Sequence, residues 1–164
     1  MAITLMGKDA AAGGADFYYL GPMDECGECK LKGVCYNLEE GARYRVVEIR
    51  KQEHECPAMD DEKVVAVEVE KVPTPAILPK KGLLEGVTVT YTVSKCDNVG
   101  CGYWNLCHPI GKAEGRKYAV VRMGADAECP RGERLAFVDM LRRRRASQIF
   151  YQNFSPVMRS YMST

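Results

Sequence analysis

The sequence of 164 residues predicts a mainly β protein, with a small α+β fold as the alternative. Three observations lead to this prediction. Segments rich in β-branched and aromatic residues alternate with turn residues, the two halves match at a period of about 70 residues, and the eight cysteines divide into two sets of four. We therefore expect two pseudo-repeated units, each with a strand, a cysteine loop and two further strands, and each stapled by a four-cysteine metal site.

The first half, residues 1–72, contains four candidate strands. They are expected at residues 2–5, 17–20, 43–50 and 64–72. The second of them stops at Gly21 and Pro22, which turn the chain into the first cysteine loop. The last one alternates valine with alanine or glutamate, and this period of two is typical of a half-buried strand.

The second half, residues 83–141, is expected to repeat the first. Its strands are expected at residues 87–93, 118–123 and 134–141, the last of them because it occupies the place of 64–72 in the repeat. Between the halves, residues 73–82 carry three prolines and predict an extended linker, because proline is excluded from helix interiors and central strands. A basic and aromatic tail, residues 142–164, follows the second half.

The cysteines are spaced alike in the two halves. The third follows the second by six positions in each half, and the fourth, which precedes a proline each time, follows 21 positions after Cys35 and 22 after Cys107. Only the first gap differs, three positions against five. The predicted ligands are Cys26, Cys29, Cys35 and Cys56 in the first half and Cys96, Cys101, Cys107 and Cys129 in the second. Pairing within halves is the simplest assignment, and an exchange of the fourth cysteine between halves is the alternative.

The cysteine pattern favours iron–sulfur clusters over zinc. The chain shows no secretory leader, so we expect a cytoplasmic location, where thiols stay reduced and clustered cysteines indicate metal sites rather than disulfides. Structural zinc sites usually use two short pairs of cysteines. Three close cysteines with a remote Cys-Pro are nearer to the ligation of an iron–sulfur cluster. We therefore predict two [4Fe–4S] clusters, with two Zn²⁺ ions as the alternative.

Residues 21–39 carry the pattern Gly-Pro-x-Asp-Glu-Cys-x-x-Cys-x-Leu-Lys-x-Val-Cys-x-Asn-Leu-Glu. With this pattern the whole chain resembles the archaeal uncharacterised protein family 0179. The resemblance implies two cysteine clusters that act as iron–sulfur redox centres, held by the eight cysteines named above. It implies no substrate.

Outside the cysteines, the strongest charge run lies at the start of the tail, in a chain whose net charge is only +1. It consists of Arg142, Arg143, Arg144 and Arg145. With Phe150 and Tyr151 nearby, this run is a candidate for contact with RNA through phosphates and stacking. The alternatives are a solvated run of charges and contact with an acidic protein partner. In the second cysteine loop, Trp104 is expected either to shield a cluster from water or to cap a small core.

Two function classes find no support in the sequence. No stretch of about 18 apolar residues occurs, so no membrane span is expected. No P-loop, nucleophile elbow or acid–base constellation is visible, so no reaction is predicted, and we expect that the chain is not an enzyme by itself.

Together these features predict an iron–sulfur protein with two clusters, acting as an electron-transfer or redox accessory subunit of a larger anaerobic complex. A zinc-stapled module that binds RNA or ribonucleoprotein is the first alternative. An interaction protein whose clusters are purely structural is the second.

Overall fold

The computed structural model describes residues 1–56, 58 and 63–143 and confirms a mainly β protein. The first sheet contains β1 (Ala2–Gly7), β2 (Asp16–Tyr18), β3 (Arg43–Glu55) and β4 (Lys63–Val72). The second contains β5 (Thr74–Pro79), β6 (Thr88–Thr90), β7 (Lys117–Glu128) and β8 (Arg134–Arg142). The helical elements are a 3₁₀ turn (Asp24–Cys26), α1 (Lys32–Cys35) and α2 (Trp104–Cys107). None of the helices in these described ranges is long and apolar enough to cross a membrane.

The two sheets have the same topology. Their strand orders are β1-β4-β3-β2 and β5-β8-β7-β6, and every neighbouring pair is antiparallel. The long hairpins β3–β4 and β7–β8 each contain two register shifts, the first of them after Val46 and after Val120. Since the strands pair in the same order and bend at matching places, the repeat seen in the sequence has a direct counterpart in the fold.

The proline-rich segment is a strand and not a linker, which corrects the expectation for residues 73–82. β5 pairs with β8 along its whole length and takes the place that β1 has in the first sheet. It forms the edge of the second sheet, and an edge strand tolerates Pro75 and Pro79 because its outer side needs no N–H donors. The second structural unit therefore begins at Thr74, not at residue 83.

Each half has its own hydrophobic core. In the first core, Val65, Val67 and Val69 lie on one side of β4, as the period of two predicts, and they pack with Tyr44 and Val46 of β3. In the second core, the matching positions are taken by Tyr118, Val120, Ala136, Val138 and Met140. The segment 134–141, whose composition would also allow a helix, lies in strand β8. In a strand, alternate residues point to the same face, and this places Ala136, Val138 and Met140 together in the core.

The halves meet where the loop before β3 approaches the loop before β7. Gly41 and Gly111 touch backbone to backbone, so that a Cβ added to Gly111 would lie 2.7 Å from the Cα of Gly41. Beside them, the Lys112 ammonium donates a hydrogen bond to the Gly41 carbonyl oxygen. The guanidinium of Arg142 lies 3.1 Å from the Glu39 carboxylate. We call this contact between the halves the junction.

Candidate metal centres

In the first half, three cysteines lie in the loop between β2 and β3. Cys26 ends the 3₁₀ turn and Cys35 ends α1, while the backbone N–H of Cys29 donates to the Cys26 carbonyl. These short turns bring thiols together within a few residues of chain. Cys56 directly follows the last residue of β3, so the long hairpin carries the fourth thiol back to the loop.

In the second half, the same construction recurs. Cys96 and Cys101 lie in the loop between β6 and β7, and Cys107 ends α2 just as Cys35 ends α1. Cys129 directly follows β7, as Cys56 follows β3. Three thiols on a tight loop and a fourth at a strand end are therefore a feature of the repeat and not of one half.

Each set of four cysteines lines a single cavity. The first cavity has a volume of about 300 Å³ and the second about 600 Å³. Each contains the fourth cysteine of its own half, which places Cys56 with the first loop and Cys129 with the second. All eight cysteines are free thiols of intermediate burial. Of the two pairings left open by the sequence, the structure has the one within halves.

Thiols within each cavity influence one another's ionisation. Burial raises the pKa of the Cys35 thiol, and the nearby Cys29, Cys56 and Cys26 raise it further. Burial likewise raises the pKa of Cys107, together with the other three cysteines of the second half. Negative charge on one thiol opposes negative charge on the next, so four thiolates around a cavity need a cationic partner.

Each cavity presents four thiols, the donor type that soft metals prefer. Among the described residues, no three His, Cys, Asp or Glu side chains converge closely enough to hold one metal ion in this geometry. A single tetrahedral Zn²⁺ with Zn–S distances of about 2.3 Å needs its four sulfurs about 3.8 Å from one another. Thiolates are also the ligands of iron–sulfur clusters.

Aromatic side chains form part of the cavity walls. Tyr19 and Tyr36 line the first cavity. Trp104 lines the second, where its indole stacks on His108 with ring centroids 3.7 Å apart and Nδ1 of that histidine lies 3.1 Å from the Trp104 carbonyl oxygen. Trp104 thus lies in the wall of the cavity that the four cysteines of the second half line.

The structure also adds residues that sequence reasoning missed. The basic residues Lys81, Lys95 and Arg131 line the second cavity. Arg131 forms an ion pair with Asp97 and interacts electrostatically with the thiols of Cys96 and Cys129. The position of Arg131, two residues after the fourth cysteine, was a signal for this role, whereas Lys81 reaches the cavity only because β5 belongs to the second sheet.

Two of the four arginines for which a contact with RNA or a protein partner is predicted lie within the described residues. Arg142 lies in β8 and pairs with Glu39 of the first half, and Arg143 donates a hydrogen bond to the Thr88 hydroxyl at 3.0 Å. Both side chains therefore take part in contacts within the chain. Arg144, Arg145 and the rest of the tail lie outside the described residues.

Fold and cavities together define a class of protein, a duplicated antiparallel β protein with four cysteines around one cavity in each half. The chain belongs to the family described as Uncharacterised protein family (UPF0179), whose model matches residues 2–140. This confirms the resemblance that residues 21–39 predict.

Relatives in archaea match nearly the whole family region. The UPF0179 protein of Archaeoglobus fulgidus is 40% identical over 143 residues, which cover 85% of this chain and 93% of the relative. The UPF0179 protein of Methanococcus aeolicus is 40% identical over 135 residues, covering 81% and 91%. That of Thermoplasma volcanium is 35% identical over 139 residues, covering 84% and 96%. No solved structure matches the chain.

Proposed function

We propose that this chain is a cytoplasmic iron–sulfur protein that carries one [4Fe–4S] cluster in each half and serves as an electron-transfer subunit of a larger anaerobic complex. The observation that carries the proposal is the gathering of four free thiols around one cavity, twice, in the same topological place. Thiolates are the ligands that hold iron–sulfur clusters.

Each cavity offers room for a cluster beside its four cysteines. The volumes are about 300 Å³ in the first half and about 600 Å³ in the second. Cys26, Cys29, Cys35 and Cys56 would hold the first cluster, and Cys96, Cys101, Cys107 and Cys129 the second.

When bound, a [4Fe–4S] cluster supplies a one-electron redox centre whose potential depends on charge, hydrogen bonds and burial. The residues of this chain would provide those influences. The backbone N–H of Tyr103 donates to the Cys101 thiol at 3.5 Å, and a backbone hydrogen bond from Leu5 lowers the pKa of the Cys35 thiol against the effect of burial. Tyr36 and Trp104 would exclude water from one wall of each cavity.

The test is metal analysis of the full chain purified without oxygen. We expect about eight irons and eight sulfides per chain, with a broad absorption band near roughly 400 nm that dithionite bleaches reversibly. The matched variants Cys29→Ser and Cys101→Ser remove equivalent ligands from the two halves, so each should leave about four irons and four sulfides, provided by the intact site.

Two outcomes would contradict the proposal. About two zinc ions per chain and no visible band would make the sites structural staples of the zinc type. Iron and sulfide that dithionite cannot reduce reversibly within the cellular range of potentials would make the clusters purely structural. In the zinc case, RNA binding by the chain becomes the next measurement, with salt dependence as its readout.

A further inference from the structure

The two cavities differ in charge although their cysteines are equivalent. Among the described residues, the charged side chains that line the first cavity are Glu25 and Lys32, and their charges cancel. In the same part of the chain, Lys81, Lys95, Arg131 and Glu133 line the second cavity. With the ion-pair partner Asp97 of Arg131 included, the surroundings of the second cavity still carry an excess of positive charge.

The cavities also differ in polarity. Hydroxyl and amide side chains of Thr90, Thr92, Ser94 and Asn98 line the second cavity, which has twice the volume of the first. The first is lined mainly by apolar side chains such as Leu5, Met6 and Phe17. A polar and roomier environment stabilises an added negative charge better than an apolar one.

Both differences act in the same direction on a bound cluster. Reduction adds one negative charge to a centre that four thiolates already make anionic. Nearby positive charge and polar surroundings favour that added charge, so they raise the reduction potential. In the described part of the chain, backbone hydrogen bonds to ligand thiols occur at both sites, from Leu5 to Cys35 and from Tyr103 to Cys101, so they do not separate the two sites.

We infer that the cluster in the second half has the higher reduction potential, set by Lys81, Lys95 and Arg131, so that a single electron entering the chain resides at the second site. This inference rests on the proposed function. With both sites loaded, the basic residues Lys81, Lys95 and Arg131 would favour one added electron at the second site, and the first site would give up that electron as the second takes it up. No bond forms or breaks and no proton moves.

The experiment is a potentiometric titration of the full chain with both clusters, reduced stepwise by dithionite and followed by electron paramagnetic resonance. We expect two one-electron couples whose ratios of reduced to oxidised cluster differ at least tenfold at a given potential, which corresponds to about 59 mV. The variant Cys29→Ser should retain the higher couple, and Cys101→Ser should retain the lower one.

Charge variants assign the effect to named residues without removing a ligand. Arg131→Gln should lower the higher couple, and Asp97→Asn, which releases Arg131 from its ion pair, should raise it. Damage to the fold would not shift the potential in opposite directions. The matched control Glu25→Gln, in the first cavity, should raise only the lower couple.

The outcomes separate this inference from the function on which it rests. Eight irons with a single couple for both clusters, or a shift of the lower couple by Arg131→Gln, would overturn the inference and leave the iron–sulfur proposal intact. A chain that binds no iron after anaerobic reconstitution would overturn both. A higher couple that survives in Cys101→Ser but not in Cys29→Ser would reverse the assignment of the sites.

Discussion

The first and second halves of this molecule share their strand order, the placement of their four cysteines and the bulges of their long hairpins, yet they differ in two places. The cavity of the second half is larger and more basic. At the junction, the first half contributes the Glu39 carboxylate and the second half contributes the cations Lys112 and Arg142. The features held in common are those that build a sheet and gather four thiols, whereas the differences lie on cavity walls and at the contact between halves.

The junction shows how equivalent residues can acquire different roles. Gly41 and Gly115 precede β3 and β7 and have nearly the same positive φ, 79° and 78°. A Cβ at Gly115 would meet open space, whereas a Cβ at Gly41 would overlap the carbonyl oxygen of Gly111. The two glycines therefore share one turn geometry, but only Gly41 also takes part in the packing of one half against the other.

The largest loss of stability is expected when the two equivalent glycines, Gly41 and Gly115, are compared by substitution with alanine. Both Gly41→Ala and Gly115→Ala place a side chain in the left-handed region, which costs about 1–2 kcal/mol. Gly41→Ala additionally forces the backbones at the junction apart, for a further cost of about 1–3 kcal/mol. Urea unfolding should show the greater loss of stability for Gly41→Ala. Equal losses in the two variants would mean that the contact with Gly111 contributes no stability.

A second effect concerns Lys112, a lysine of the junction. Its ammonium lies 5.6 and 5.5 Å from the ring centroids of Tyr18 and Tyr118. Burial, with the nearby charges of Lys71 and Arg142, lowers the pKa of Lys112 from 10.5 to about 8, against the opposing effect of Glu39. The charged form is thus disfavoured in the folded state.

The sign of the pH dependence follows from proton binding. Between pH 8 and about 10.5 the unfolded chain keeps this proton while the folded chain loses it, so the contribution of Lys112 to stability rises with pH. Unfolding measured from pH 7 to 10 should show wild type gaining stability relative to Lys112→Met. Lys80→Met, at a lysine of the same half whose side chain is 45% exposed, is the control for the loss of a lysine. A constant difference for Lys112→Met would contradict the lowered pKa.

A smaller loss of stability is expected for two tyrosines that occupy the same place in the repeat. The Tyr44 hydroxyl accepts a hydrogen bond from the Glu39 backbone N–H at 2.9 Å, and the Tyr118 hydroxyl accepts one from Ala113. Tyr44→Phe and Tyr118→Phe each remove the acceptor of one backbone N–H at the same place in the repeat, at a cost of about 1–2 kcal/mol. Thermal unfolding should give similar losses. A loss in only one half would show that the two tyrosines are not equivalent. Tyr36→Phe, at a cavity-wall tyrosine that is 36% exposed, is the control.

The smallest effect is expected for the ion pair across the junction. Arg142 pairs with Glu39, but Glu39 also pairs with Lys71, and the Arg142 side chain is 31% exposed. Arg142→Gln should therefore cost less than about 1 kcal/mol, and the cost should shrink at high salt. Denaturant unfolding at low and high salt measures it. A loss of several kcal/mol at high salt would show that Arg142 contributes more than its charge.

Much of the fold could be predicted from neighbouring residues. The period of two in β4 identified both the strand and its buried valines, and the cysteine spacing identified the repeat and the membership of each set of four. The expectation for 73–82 was wrong because three prolines do not reveal whether a segment lies at the edge of a sheet. That depends on β8, about 60 residues further along the chain.

By itself, the sequence determined the β class, the duplication and the grouping of the cysteines, because these follow from side-chain periodicity and short spacings within a loop. Only the tertiary structure decided the pairing of β5 with β8, the contact of Gly41 with Gly111, the burial of Lys112 and the basic wall of the second cavity. Each of these joins segments far apart in the chain. The physical reason is that such contacts depend on how whole sheets and loops pack, which no local pattern of residues specifies.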